Sequence, residues 1–193
     1  MGMTSLLHKQ WPVPPYDESF FDTASLVFAT EYVFDATRED VWKLLDSERM
    51  FEWLPFPGVG VVYDSPERGV GVVREMGSVG KPFRFLWIQR EQFWSHDKPN
   101  RCSYAAISGT WMYTLLVRHY AEKMTLTDAP EGGTALRWTV ATTPRLPFRF
   151  VKYVKPVWRF AYRANFGRPM AERLAEQACD TRAHQQSAAG RSR

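Results

Sequence analysis

Along Leu26–Phe34 (LVFATEYVF) β-branched and aromatic residues alternate with smaller or polar ones, and this period of two predicts a first β-strand. The pattern then changes. Thr37 is placed to cap a helix with Asp40 three residues on, and Val41, Trp42, Leu44 and Leu45 form an apolar face, so a short helix is expected to end near Asp46. A second short helical piece over 48–53 stops at Leu54-Pro55-Phe56-Pro57-Gly58, because each residue before a proline is pushed out of the α region. Strand-like runs follow at 59–63, 70–76, 82–94, 102–108, 113–127 and 134–142, separated by turn-forming clusters. Connections this short predict an antiparallel meander.

After Pro147 the alternation ends, and Val154, Trp158, Tyr162, Phe166, Met170 and Leu174 recur every four residues as one stripe of a long helix. Pro156 and Pro169 limit it: the helix either kinks at Pro169 or is two helices broken at Gly167. The first two dozen residues, with Trp11-Pro12-Val13-Pro14-Pro15, carry neither period and read as an extension packed by its aromatics. The polar 184–193 stretch reads as a mobile tail. The expected organisation is an extension over 1–24, one domain over 25–182 and a tail over 183–193.

The 193 residues, 45% of them hydrophobic and 29 of them aromatic, suffice for one large core and exclude wholesale disorder. No stretch approaches the roughly 18 apolar residues of a membrane span, and residues 1–10 lack a signal-peptide core, so a soluble, cytoplasmic protein is expected. Cys102 and Cys179 lie far apart and support neither a disulfide framework nor a zinc knuckle. The net charge of +4 hides an asymmetry: residues 1–144 hold 14 Lys/Arg against 18 Asp/Glu, whereas 145–193 hold 11 against 3. The basic residues of that last segment, Lys155, Arg159 and Arg163 among them, interleave with aromatics. This pattern fits the solvent side of a packed helix, and a module that meets an anionic membrane surface or a partner through this helix is the alternative; nucleic acid is not an expected partner.

Ala36-Thr37-Arg38-Glu39-Asp40-Val41-Trp42, the downstream Trp53-Leu54-Pro55, Glu91 ahead of the turn from His96 to Arg101, Tyr104, and Gly132-Gly133-Thr134-Ala135-Leu136-Arg137-Trp138 occur in an order that resembles the START-like SRPBCC superfamily. The similarity is to its polyketide cyclase/dehydrase and lipid-transport branch and spans about residues 26–178. The resemblance implies an α+β helix-grip fold, in which an antiparallel sheet wraps around a long C-terminal helix with two short helices after the first strand. It further implies an apolar cavity for a lipid, polyketide or aromatic ligand, and it leaves open whether the chain binds or catalyses.

Strand alternation nominates the cavity walls. On 82–94 one face carries Phe83, Phe85, Trp87, Gln89, Glu91 and Phe93; on 113–127 one face carries Leu116, Arg118, Tyr120, Glu122, Met124 and Leu126. The expected lining is Phe83, Phe85, Trp87, Tyr104, Leu116, Leu136, Trp138, Trp158 and Tyr162, with Trp53 near the mouth by family analogy. Glu91, Arg118 and Glu122 would read a polar group on the ligand. If the chain is instead a cyclase or dehydratase, Arg118 would stabilise an enolate while Glu91 or His119 moves the proton. Packing residues and cross-strand ion pairs are the structural alternative for each. His96 reads as a solvated turn residue, and no two of His8, His96, His119 and His184 have the spacing of a helical metal site. Neither a phosphate loop nor a Gly-x-Ser-x-Gly elbow occurs, so no metal or cofactor is expected. The favoured reading is a binder or carrier of a hydrophobic small molecule.

Overall fold

A computed structural model of the chain describes residues 9–48, 50, 59–78, 88–145, 150, 153, 155–177 and 179. The elements in chain order are β1 (Trp11–Pro12), α1 (Phe20–Thr23), β2 (Leu26–Phe34), α2 (Arg38–Leu45), β3 (Val59–Tyr63), β4 (Val73–Ser78), β5 (Ile88–Asp97), β6 (Arg101–Gly109), α3 (Trp111–Leu116), β7 (Val117–Asp128), β8 (Thr134–Pro144) and α4 (Lys155–Tyr162). A π-helical turn, Arg163–Gly167, and a further α-helical stretch over 168–177 follow.

The strands form one antiparallel sheet in the order β2-β8-β7-β6-β5-β4-β3, with β1 beside β6. Neighbours from β3 to β8 are consecutive in sequence, as the short turns predict, and β2 closes the sheet against β8 from Leu26↔Thr142 to Phe34↔Thr134. The first strand and the first helix follow directly from local chemistry. Alternate residues of β2 from Leu26 to Phe34 are buried, and the Thr37 side chain accepts a hydrogen bond from the Asp40 amide at the start of α2.

Both faces of the sheet are covered. Register places Phe93, Tyr104, Glu122, Val140 and Phe28 in one row across five strands of the inner face. Tyr162, Phe166, Met170 and Leu174 pack against the core on that side. The outer face carries the row Ala105, Ala121 and Ala141, and these short side chains leave room for Phe20 and Phe21 of the N-terminal segment. That segment is pinned where the β6–β7 ladder ends: the Tyr16 hydroxyl donates to the Tyr120 carbonyl at 2.5 Å and accepts from the Tyr120 amide at 3.0 Å.

Two elements differ from the sequence expectation. Residues 113–116, expected to open the strand 113–127, belong instead to α3 (Trp111–Leu116), which begins after extended Thr110. Its Tyr113 lies so close to Gly109 that a Cβ there would meet the ring at 2.2 Å, so only glycine lets the chain turn from β6 into a helix at this point. The C-terminal helical stripe is interrupted by the π turn, which answers the question left by Pro169. Proline has no amide to give the carbonyl four residues back and its ring crowds it, and a widened turn relieves both. Gly167 ends that turn against the Tyr32 ring, with carbons 2.6 and 2.7 Å from where a Cβ would stand. Of the expected helical piece over 48–53, residues 48 and 50 are described and lie in turns, and the others fall outside the described residues.

The β7–β8 turn depends on Gly133, which has φ +78° and would place a Cβ 2.2 Å from the Phe34 carbonyl oxygen. Replacing Gly133 by Ala is expected to destabilise the fold by about 2 kcal/mol, read from the urea midpoint. An unchanged midpoint would mean that the turn can relax without loss.

Candidate functional site

An arginine and two glutamates lie on the inner face, where alternation alone would call for apolar residues. Arg74 on β4 is directly opposite Glu91 on β5, and both are buried, 1% and 0% exposed. The Arg74 Nε donates to Glu91 Oε2 at 2.7 Å, and the Gln89 amide nitrogen donates to Glu91 Oε1 at 2.6 Å. The guanidinium also lies 3.9 Å from the centre of the Tyr104 ring and donates through Nη1 to the Met50 sulfur at 3.5 Å. Burial works against its charge, but Tyr104, Glu91 and Tyr63 hold its pKa above the ordinary arginine value.

Glu122 on β7 faces Tyr104 across the ladder. Its two oxygens accept hydrogen bonds from the Tyr104 and Tyr120 hydroxyls, and the Tyr120 hydroxyl lies 2.8 Å from that of Tyr162. A hydroxyl has one proton to give. With Tyr120 donating to Glu122, the proton between the tyrosines comes from Tyr162, and the chain of donors runs inward from the helical side to the carboxylate. Burial, reinforced by the negative charge of Glu91, pushes the Glu122 pKa up to about 7, against the tyrosine hydrogen bonds and Arg74. The group is therefore poised to take up or release a proton near neutral pH, the property a general acid or base needs.

Two buried polar atoms beside these networks, Nη2 of Arg74 and Oε1 of Gln89, have no hydrogen-bond partner among the described residues, and the same holds for Nε1 of Trp138. Trp138 packs edge-on to Phe166 at 5.1 Å and to Tyr162 at 6.3 Å. The arrangement offers one donor from an arginine, one amide acceptor and one indole donor among aromatic surfaces, which suits a largely apolar molecule with oxygen substituents.

Of the residues nominated from sequence, the structure brings Glu91, Tyr104, Glu122, Trp138 and Tyr162 to the inner face, and Leu136 is buried there with them. Trp53, Phe83, Phe85 and Trp87 lie outside the described residues, as does the side chain of Trp158. Leu116 ends α3 half-buried. Arg118 is corrected: it is exposed and lines a surface groove with Trp11, Trp111, Leu115 and Arg145. The cause is the irregular step between Val117 and His119, which breaks the alternation on which its inward assignment relied. His119 is on the outer face, with its ring against Tyr16 at 4.7 Å and Phe20 at 5.6 Å. Burial lowers its pKa, and Arg118 and Arg145 add to that. His119 is thus separated by the sheet from Glu91, to which it was the alternative as proton carrier. His96 is corrected too: it belongs to β5, is largely buried and meets Asp46 at 3.3 Å.

Arg74 was missed in the sequence. The signal available was a charged residue sharing the face of Val72 and Met76, with Glu91 at the matching position of a neighbouring strand. Among the described residues no group of three His, Cys, Asp or Glu converges as metal ligands do, and no described helix is long and apolar enough to cross a membrane.

Comparison with known proteins agrees with this architecture. The family model for polyketide cyclase / dehydrase and lipid transport matches residues 26–185. Among solved structures, norcoclaurine synthase from Thalictrum flavum, in complex with dopamine and hydroxybenzaldehyde, is 20% identical, with a TM-score of 0.52 over 78% of this chain and 86% of that one. Ara h 8.0201 is 16% identical, with a TM-score of 0.56 over 78% and 97%. The protein XoxI from Bacillus cereus is 14% identical, with a TM-score of 0.57 over 79% and 98%. At such identities the likeness is one of fold. No curated protein matches the chain by sequence.

Proposed function

Since the chain belongs to the polyketide cyclase / dehydrase and lipid transport family, we propose that it binds a hydrophobic small molecule bearing a carbonyl and a hydroxyl group, of lipid, polyketide or aromatic type. In this reading the sheet grips the helical segment 155–177, and the ligand lies between them. Its carbonyl accepts from Arg74 Nη2, its hydroxyl donates to Gln89 Oε1, and its body rests on Trp138, Phe166 and Phe93. The observation that carries the reading is the pair of buried, unpartnered polar atoms beside an ion pair on the inner face. Such atoms are destabilising by about 1–3 kcal/mol each when left unpaired, and a ligand that pairs them recovers that energy as affinity. A cytosolic carrier is the cellular role that fits.

Native mass spectrometry of the purified protein, and titration of its tryptophan fluorescence with a hydroxyanthraquinone, test this. Saturable binding is expected, weakened at least about tenfold in Gln89→Leu, which removes the acceptor but little volume. Failure of the wild-type protein to bind the probe or retain any co-purifying molecule overturns the reading. So does undiminished binding by the variant.

A second reading is favoured by one further observation, the Glu122 carboxyl poised near neutrality between two tyrosines. There the chain is a cofactor-free cyclase or dehydratase. Glu122 removes the proton α to the carbonyl, and Arg74 stabilises the enolate oxygen through its unpartnered Nη2. Glu122→Gln separates the two readings: a carrier keeps all of its function, whereas an enzyme keeps binding and loses turnover by about 100-fold or more.

A further inference from the structure

The helix that brings Tyr162 to the buried carboxylate turns a very different face outward. Val157 is 61% exposed and Phe160 is 74% exposed, and Tyr153, one turn before Val157, is 76% exposed. Within α4, Val157 and Phe160 are three residues apart and lie on one side of the helix. Aromatic and branched side chains bared to this degree along one line are unusual for a packed surface helix, whose outward side is ordinarily polar.

Charge accompanies this exposed line. Lys155, Arg159 and Arg163 are exposed at four-residue spacing, and no ion pair involves them among the described residues. Farther on, Arg168 and Arg173 pair with Glu172 and Glu176 at 2.8 and 2.9 Å. From Gly132 to Ala171 the chain contains no Asp or Glu. The exposed line thus lies in a long segment of one sign of charge, in which Arg137 and Arg168 are paired with Glu31 and Glu172 while Lys155, Arg159 and Arg163 have no ion-pair partner among the described residues.

We propose that α4 is a docking face for an anionic lipid bilayer, with Val157 and Phe160 entering the headgroup–acyl boundary while Arg159 and Arg163 beside them meet lipid phosphates. An apolar line flanked by unpaired cations is the combination that binds bilayers, since burial and charge attraction add. A purely electrostatic partner such as nucleic acid would leave Val157 and Phe160 bared. The inference goes beyond the ligand reading and stands without it, because vesicle binding is measured on the protein alone and the residues concerned are not those of the buried site. The two are joined by geometry: the inner side of the same helix carries the Tyr162 hydroxyl that reaches Tyr120 and, through it, Glu122.

The test is co-sedimentation of the full chain with phosphatidylcholine vesicles, with and without phosphatidylglycerol. Binding that requires phosphatidylglycerol and weakens with salt is expected. Phe160→Ser with Val157→Ser should lower partitioning at least about tenfold, and Arg159→Glu with Arg163→Glu should lower it by a similar factor on the anionic vesicles alone. Circular dichroism and the fluorescence titration with hydroxyanthraquinone should be unchanged in these variants, all of which alter exposed positions. Absence of wild-type binding to the anionic vesicles overturns the proposal, as does equal binding by the variants. A dimer that Phe160→Ser dissolves, without vesicle binding, overturns it in favour of a second copy of the chain on this face.

Discussion

Arg74→Met is expected to lower the unfolding free energy by about 3–5 kcal/mol, because it strands a wholly buried Glu91 carboxylate with no cation. The loss is not the strength of the ion pair. Bringing both charges out of water is itself unfavourable, so the pair as a whole contributes little net stability, and what the variant exposes is the unpaired partner. A double variant, Arg74→Met with Glu91→Met, should therefore recover most of the loss, leaving a deficit of about 1–3 kcal/mol for the Gln89 amide that no longer has its acceptor. Urea denaturation of the wild type and the single and double variants measures this. Equal destabilisation of single and double variants would show that the arginine acts through packing on Tyr104 and Met50 rather than through charge.

The second large effect is a pH dependence. The Glu122 pKa is raised in the folded state from 4.5 to about 7. A raised folded-state pKa stabilises the fold fully below the unfolded value, and that contribution is lost as the pH climbs through the folded one. Between pH 4.5 and about pH 8 the wild type should lose roughly 3 kcal/mol relative to Glu122→Gln, whose amide does not titrate. Subtracting the variant removes every other titrating group that is the same in both proteins. A difference that stays flat across this range would mean that burial and Glu91 do not govern the carboxyl, and the acid–base reading of the site would fall with them.

Much of the architecture was legible because alternation, turn clusters and a helix cap are local properties. Leu26–Phe34 and the Thr37 cap agree with the structure, and so does the meander. The site was legible only in part, because its chemistry depends on which face each polar residue takes. Glu91 and Glu122 share their faces with aromatic neighbours, and alternation placed them correctly. Arg118 did not obey it, since α3 and the irregular step at Val117/His119 reset the phase just before the strand becomes regular. Arg74 was missed for a different reason. On its own strand it sits beside Glu75, so either charge could face outward, and only the register with β5 shows that Arg74 meets Glu91. Cross-strand pairing is a long-range property, so an ion pair of this kind leaves no trace in either strand read alone.

The alanine row on the outer face limits how the interior can change volume. Ala105, Ala121 and Ala141 are pressed by Phe20 and Phe21 on one side, and Tyr104, Glu122 and Val140 fill the other. A wall clad on both sides has little compliance, so the central amides of β6, β7 and β8 exchange with solvent only when the whole unit opens. The helical side is softer, since the π turn at Arg163–Gly167 has already departed from regular hydrogen bonding. If a guest enters between the two as proposed, the helix is expected to give way and the sheet to stay where it stands, in the manner of a stopper lifting from a rigid vessel.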